Sequence, residues 1–144
     1  MGFLSNLKNN VVGPAITATP DEVFNFLTNE GYQSLQNSVG LNGVSGVLAN
    51  MIGNNIKDIN MKSSDVTNKT INYSYKSGID IIAGRLTLKI VSANDHKASW
   101  LKFESIGGGY ELPRQKFEFQ IRNIVAQKFG TTPLIHIDKN NNTL

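Results

Sequence analysis

Over most of residues 56–105, apolar and polar side chains alternate with a period of two. That period is typical of strands with one buried and one exposed face. INMK, KTINYSYKS and KASWLKFESI each predict a strand, GIDIIAGRLTLKIVS predicts one or two, and NDH predicts a turn. Strands joined by short turns form an antiparallel meander. The apolar positions that recur along these strands are Ile71, Tyr73, Tyr75, Leu86, Leu88, Ile90, Leu101 and Phe103.

Residues 19–35 carry the clearest helix signal. Thr19 can cap a helix, Pro20 suits its first position, and Glu22 completes a capping box three residues after the cap. We predict a helix from Pro20 to about Leu35, in which Gly31 is the weak point where a break can occur. The apolar stripe and its flanks comprise Val23, Phe24, Phe26, Leu27, Gly31 and Leu35.

Two other segments have helical spacing. In residues 41–53 the apolar positions recur every three or four residues, which predicts a second helix ended by Gly53. Residues 1–12 also carry one apolar stripe, which either docks on the body of the protein or contacts a membrane surface; we prefer docking. The residues of the two stripes are Leu41, Val44, Leu48, Met51 and Ile52, and Phe3, Leu4, Leu7 and Val11.

Residues 111–138 combine two patterns. KFEFQI alternates like a strand, whereas Phe117, Ile121 and Val125 recur at helical spacing, and we favour a helix that starts near Pro113 and ends at Gly130. PLIHID then predicts a last strand, Leu134 to Asp138. Together these elements predict one α+β domain over residues 1–144, with residues 1–15 as an N-terminal segment. In it, a curved antiparallel β-sheet packs against two to three amphipathic helices.

Composition removes several classes of function. The net charge is +3 and the pI about 9.2, but no run of five or six basic residues occurs, which argues against a nucleic-acid partner. The chain has no cysteine, so disulfides and thiol nucleophiles are excluded. No apolar run approaches the roughly 18 residues of a membrane-spanning helix, and the N-terminus lacks a signal-peptide layout. We therefore expect a cytoplasmic protein, with secretion by a non-classical route left open.

Three glycines at residues 107–109 raise the question of a phosphate-binding loop. The Lys-Ser/Thr pair of a P-loop is absent, and so is the glycine spacing of a dinucleotide fingerprint. We interpret the run as the turn from the meander into the following helix. An anion site at that helix N-terminus, assisted by Arg114, is the weaker alternative.

Other candidate chemistry is sparse. His136 and Asp138 share a predicted strand face, but two ligands are too few for a metal site, and His96 lies in a turn. The carboxylates of Asp80, Glu104 and Glu111 show no pairing that indicates acid–base catalysis. We expect no catalytic residue, no metal and no cofactor.

The remaining feature is the set of apolar and aromatic side chains. A packed core accounts for most of them, and the functional hypothesis is an apolar cavity between the sheet and the helices, a common site for hydrophobic ligands. The predicted cavity-lining residues are Phe24, Leu27, Leu48, Ile52, Tyr73, Leu86, Leu88, Leu101, Phe103, Tyr110, Phe117 and Ile121. Arg114 and Arg122 are candidates for contacting an anionic head group.

Residues 84–144 resemble small bacterial members of the tubular lipid-binding (TULIP) superfamily. The resemblance rests on a strand meander, then IGGGYELP, then a helix and the stretch IHIDKNNNTL. The resemblance implies lipid binding and modules that commonly pair, so it implies a homo-oligomer or a partner subunit. It transfers no catalytic residue to this chain.

The stretch ITATPDEVFNFLTNEGY is similar to the opening strand and helix of the START-like, or helix-grip, superfamily. That fold ends on its long helix, whereas PLIHID follows the helix here, and NNVVGPAIT is a poor opening strand. We prefer the TULIP-like interpretation. The expected function is non-enzymatic binding or carriage of lipid or another apolar small molecule. The alternatives are an interaction subunit with a filled core, peripheral membrane contact, and a START-like cyclase or hydrolase.

Overall fold

The computed structural model describes residues 14–38, 56–77, 84–105 and 111–138. Its strands are β1 (Ala15–Ile16), β2 (Ile56–Asp65), β3 (Thr70–Ser77), β4 (Gly84–Ala93), β5 (Ala98–Ser105) and β6 (Thr131–Thr132). Its helices are α1 (Pro20–Thr28), α2 (Glu30–Ser38) and α3 (Glu111–Phe129). A curved antiparallel sheet packs against the helices, so the predicted α+β class is confirmed.

The six strands form one sheet in the order β2-β3-β4-β5-β1-β6, and every neighbouring pair is antiparallel. Strands β2 to β5 are the predicted meander. The two-residue strand β1 extends the sheet beyond β5, with Ile16 opposite Ser99, and β6 then pairs with β1 through Ala15 and Thr132. The chain therefore adds its first and last strands at the same edge of the meander.

Strand β2 is longer than the INMK segment predicted for it. The register against β3 shifts between Lys57 and Asn60, and again between Met61 and Ser63. Asp58 lies in the first irregularity with a φ of 54°. Because each bulge inserts an unpaired residue, it disrupts the alternation from which a strand is recognised. The sequence pattern therefore revealed only part of the strand.

We call the sheet surface that faces the helices the inner face. Its alternating apolar residues pack with α1, α2 and α3 in one core. Most of these sheet side chains are fully buried, as the period of two predicted. They are Ile71, Tyr73, Tyr75, Leu86, Leu88, Ile90 and Leu101, with Phe103 partly buried beside them.

The capping box at the start of α1 is confirmed. The Glu22 backbone N–H donates to Thr19 Oγ1 over 3.3 Å, and the Thr19 N–H donates to Glu22 Oε1 over 3.0 Å. The predicted break near residue 31 is confirmed, because the helix is interrupted at Asn29, two residues before Gly31. Asn29 Nδ2 donates to the Asn25 carbonyl, and Thr28 Oγ1 donates to the Phe24 carbonyl.

Gly31 also has a packing role that the sequence did not predict. It lies inside α2, where an added Cβ would come within 2.8 Å of the Phe26 ring and of the Phe26 carbonyl oxygen. Only glycine leaves room for this close approach of α1 and α2. Helix α2 continues to Ser38, beyond Leu35, where the single helix was predicted to end.

Helix α3 confirms the helical interpretation of residues 111–129. Phe117, Ile121 and Val125 are completely buried, one turn apart, and pack on the inner face. The helix begins at Glu111 and ends before Gly130, which adopts a φ of 82°, the left-handed conformation that commonly terminates helices. Phe129 packs edge-on against Phe26 with ring centroids 5.5 Å apart, which joins α3 to α1.

The predicted strand from Leu134 to Asp138 is wrong. The strand after α3 is Thr131–Thr132, and residues 133–138 make a single bridge, from Ile137 to Ala93. The Asn94 side chain explains the difference, because its Oδ1 accepts the N–H groups of Ile135 and His136. Backbone donors that bond to a side chain cannot extend a ladder.

Some predictions lie outside the described residues. They are the helix at 41–53, the glycine run at 107–109, the stripe of residues 1–12, and the candidates Leu48, Ile52, Asp80 and Tyr110. Among the helices of the described residues, none is both long and apolar enough to cross a membrane.

Candidate functional site

The inner face brings together the predicted cavity-lining residues that fall within the described ranges. All belong to one cluster between the sheet and the helices. Eight of them are buried and Phe103 packs partly buried against them; the eight are Phe24, Leu27, Tyr73, Leu86, Leu88, Leu101, Phe117 and Ile121. Their common location is confirmed, and their assignment to a ligand stays a prediction.

Tyr73 brings a polar group to this face. Its residue is 1% exposed, its ring lies edge-on to Phe117 with centroids 5.3 Å apart, and its hydroxyl has no hydrogen-bond partner among the described residues. Burial raises the pKa of Tyr73 well above its ordinary value, and the neighbouring Tyr32 adds to the effect. The group is therefore a neutral phenol that can donate one hydrogen bond.

Tyr32 shows how a tyrosine hydroxyl is satisfied elsewhere in the same core. Its oxygen accepts the Met61 backbone N–H over 2.9 Å and the Gln36 side-chain amide over 2.9 Å. These bonds join α2 to β2. Buried hydroxyls in folded proteins are almost always bonded in this way, so Tyr73 departs from the usual pattern.

The two predicted head-group residues lie on α3 and both interact with other protein groups. Arg122 donates to the Leu101 carbonyl over 3.3 Å, and its guanidinium carbon lies 4.6 Å from the centroid of the Phe103 ring. Arg114 Nε lies 3.8 Å from Glu118 Oε2. Arginine in these positions can cover the edge of the core with its aliphatic stem while keeping its charge near solvent.

Burial sets the ionisation of this group of charges. It lowers the pKa of Arg122 to about 10, although Glu118 acts in the opposite direction. Burial also raises the pKa of Glu118, and Arg114 and Arg122 offset only part of that rise. The three side chains therefore form a partly desolvated charge group at the rim of the inner face.

The opposite surface of the sheet, which we call the outer face, carries a smaller apolar cluster. Trp100 is its largest member, and Leu134 packs on it from the segment of residues 133–138. The cluster comprises Ala15, Val91, Ala93, Ala98 and Trp100. From β6 the segment therefore runs over this cluster to the end of β4, where Ile137 bridges Ala93.

Hydrogen bonds of Asp138 link the segment of residues 133–138 to the β4–β5 turn. Its carboxylate accepts the Ser92 hydroxyl over 2.7 Å and the backbone N–H groups of Asp95 and His96 over 3.0 and 2.7 Å. Asn94, Asp95 and His96 all have positive φ values, between 53° and 68°. Successive N–H groups in such a turn form a concave anion site, and here a carboxylate of the chain itself fills it.

The surroundings of Asp138 favour its charged form. Burial by itself would raise its pKa, but the hydrogen bonds from Ser92, His96 and Asp95 outweigh burial, and the pKa of Asp138 lies below its ordinary value. Its side chain is 6% exposed. An ionised, hydrogen-bonded carboxylate is the stable state of this site.

Ser92, His96 and Asp138 do not form a nucleophilic triad. In a triad the imidazole lies between serine and aspartate and uses one nitrogen for each. Here the same nitrogen, His96 Nδ1, is 2.9 Å from Ser92 Oγ and 3.1 Å from Asp138 Oδ2, while the serine bonds directly to the aspartate. Ser92 is also completely buried, so a substrate carbonyl could not reach it.

The Asp138 cluster, which we define as Ser92, Asp95, His96, His136 and Asp138, contains residues that sequence reasoning placed apart. We predicted that His136 and Asp138 lie on the same side of the chain, and the structure brings Asp95 next to both. The sequence contains only a weak signal for this meeting, namely a histidine next to or near an aspartate in both NDH and HID. Because the two stretches lie about 40 residues apart, spacing alone could not join them.

Comparisons with protein-family models, with curated proteins and with solved structures each found no match to this chain. What the chain does is therefore inferred from the geometry of its own residues.

Proposed function

We propose that this chain is a non-enzymatic binder or carrier of an apolar small molecule, a lipid or a similar compound, held between the inner face and the helices. The observation that carries the proposal is the Tyr73 hydroxyl, which is buried in an apolar core without a partner among the described residues. A buried hydroxyl without a hydrogen bond costs about 1–3 kcal/mol, and a ligand that accepts a hydrogen bond from it would remove that cost.

The chemistry of Tyr73 defines the polar part of the ligand. A neutral phenol donates to a carbonyl, ester, carboxylic acid or hydroxyl oxygen. The surrounding side chains, including Phe117, Leu86 and Leu88, are apolar and suit an aliphatic or ring-containing body. The proposed ligand is thus mostly apolar with a small accepting group, and Arg122 near the rim is placed for a second, anionic group.

The same features support binding more than catalysis. A phenol whose pKa is raised keeps its proton at neutral pH, so it is a poor general base. Among the described residues, the Asp138 cluster contains the histidines, and Ser92 there is buried and bonded to a carboxylate. The enzyme alternative therefore has less support than the binding proposal.

Uptake of a fluorescent fatty acid by the delipidated chain tests the proposal. We expect saturable binding near one molecule per chain, and about tenfold weaker binding by Tyr73→Phe, which lacks the donor. Tyr32→Phe is the matched control, because that hydroxyl already has protein partners, and it should bind like the parent chain. No saturable uptake of fatty acids or phospholipids by the parent chain would refute the proposal.

A second candidate is the interaction subunit. Ile135 is 77% exposed, Ile137 is 40% exposed, and both lie on the 133–138 segment, while Phe119 is 68% exposed on α3. Single exposed apolar residues are common, but two on one short segment can form part of an interface. Sedimentation over a range of concentrations tests this candidate. Self-assembly requires a measured mass above that of one chain, and Ile135→Ser should reduce that mass. A constant monomer mass would exclude self-assembly.

A further inference from the structure

Three side chains from two distant parts of the chain meet beside the β4–β5 turn. His136 Nε2 lies 3.0 Å from Asp138 Oδ1 and 3.2 Å from Asp95 Oδ1. One ligand atom from each residue lies within 4.8 Å of the others. An ion with bonds of about 2.0–2.2 Å to nitrogen and oxygen holds neighbouring ligand atoms roughly 3–3.5 Å apart. The two short separations already match that requirement.

The His136 imidazole faces two carboxylates through the same nitrogen. A single Nε2 proton can point at one carboxylate oxygen, yet this nitrogen faces two. A cation at their centre would interact with both oxygens and with the nitrogen lone pair at the same time. Asp95 and Asp138 together also supply two negative charges, enough to neutralise a divalent ion.

The protein orients one of these ligands firmly. Asp138 is buried, and Ser92 and the His96 N–H both donate to its Oδ2; its Oδ1 accepts the Asp95 N–H and also faces His136 Nε2. Such surrounding hydrogen bonds typically fix metal ligands, and their loss lowers metal affinity about 10–100-fold. His96 contributes its backbone N–H to this support, and a side-chain substitution keeps that donor; the His96 imidazole faces Oδ2 and lies outside the ligand set.

The site is accessible from solvent. The side chain of Asp95 is 81% exposed and that of His136 is 46% exposed. An ion could therefore enter without rearrangement of the sheet, and water could complete its coordination. Three protein ligands with open positions are sufficient to bind a transition metal.

We propose that Asp95, His136 and Asp138 bind a divalent transition-metal cation of the zinc class. One imidazole nitrogen and two carboxylate oxygens suit zinc, cobalt, nickel and manganese, whereas calcium and magnesium prefer oxygen ligands throughout. The ion joins the 133–138 segment to the β4–β5 turn. It is separate from the apolar ligand proposed for the inner face.

Isothermal titration of the tag-free, chelator-treated full chain with Zn²⁺ tests the site. We expect one ion per chain and no competition from an equal concentration of Ca²⁺. His136→Ala and Asp95→Asn should each weaken binding at least about tenfold. Neither side chain is part of the apolar core, so we expect both variants to fold. His96→Asn is the matched control, because asparagine tolerates the left-handed backbone at that position. It should keep affinity within about threefold.

Several results would overturn the metal site. These are no stoichiometric binding by the parent chain, unchanged binding by His136→Ala, or loss of binding in His96→Asn but not in Asp95→Asn. If the three residues form only an ion pair, Zn²⁺ will not raise the thermal midpoint of the parent chain. The site predicts a rise in that midpoint that is absent in His136→Ala.

Discussion

The inner face and the 133–138 segment are held by different kinds of interaction. The core between the inner face and the helices combines buried apolar side chains from both strands and helices. Most of its stability comes from contact area. The segment contributes one partly buried apolar side chain, Leu134, and depends on the directed hydrogen bonds of Asn94 and Asp138.

The difference has a physical consequence. Apolar burial is not directional, so it sets the arrangement of the inner face less strictly than hydrogen bonds set that of the segment. A carboxylate in a concave site of N–H groups has one arrangement, and its loss leaves several donors without an acceptor. The ligand that we propose thus lies at the face held by non-directional contacts, whereas hydrogen bonds hold the segment in a single, fixed position.

The largest expected effect concerns the inner face. Phe117→Ala should lower the free energy of unfolding by about 3–5 kcal/mol, because Phe117 is completely buried against Tyr73 and Tyr75. Urea denaturation measures the change. A loss below about 1 kcal/mol would mean that this part of the core is loosely packed.

The second prediction concerns the segment. Asp138→Ala should cost about 2–3 kcal/mol in the free energy of local opening, because three donors lose a charged acceptor. Amide hydrogen exchange should accelerate in residues 133–138 and in the β4–β5 turn, while Leu86 and Leu88 stay protected. Uniform acceleration across the sheet would show that the two regions unfold together.

These two regions also differ in how well sequence predicts them. The inner face follows from the period of two in β3, β4 and β5, and α1 follows from its capping box, since both signals are local. The Asp138 cluster depends on positive φ values at three successive residues and on partners such as Ser92 and Asp138, 46 residues apart. No local pattern contains that information.

Two further elements could not be predicted for related reasons. Strand β1 has two residues, too few to show a period, and it is defined by its pairing with β5 and β6. The 133–138 segment does alternate, PLIHID, but the Asn94 side chain takes two of its N–H groups. Period and propensity cannot reveal a competing side chain from another part of the chain.

The third prediction separates two tyrosines of the same core. In the delipidated chain, Tyr73→Phe should raise the free energy of unfolding by about 1 kcal/mol, because it removes a buried hydroxyl without a partner. Tyr32→Phe should lower it by about 1 kcal/mol, because it removes the acceptor of two bonds. Thermal or urea unfolding of both variants gives the comparison. A loss of stability in Tyr73→Phe would show that its hydroxyl is bonded within the protein.

The smallest expected effect concerns Glu118. Its pKa is raised in the folded state, so the carboxyl favours folding when protonated, and that contribution is lost as the pH rises through its folded pKa. Glu118→Gln, which resembles the protonated acid, should therefore be slightly more stable than the parent chain at pH 7. The advantage should disappear below the ordinary pKa of glutamate. A variant that is less stable at pH 7 would show that the ion pairs with Arg114 and Arg122 outweigh burial.

Native mass spectrometry of the chain purified under mild conditions tests the central claim, apolar ligand binding at the inner face, most directly. The parent chain should carry an added mass that organic extraction identifies as an apolar compound with an accepting oxygen, and Tyr73→Phe should carry much less of it. If both proteins have only the mass of the bare chain, and remain so after incubation with fatty acids and phospholipids, the claim is contradicted.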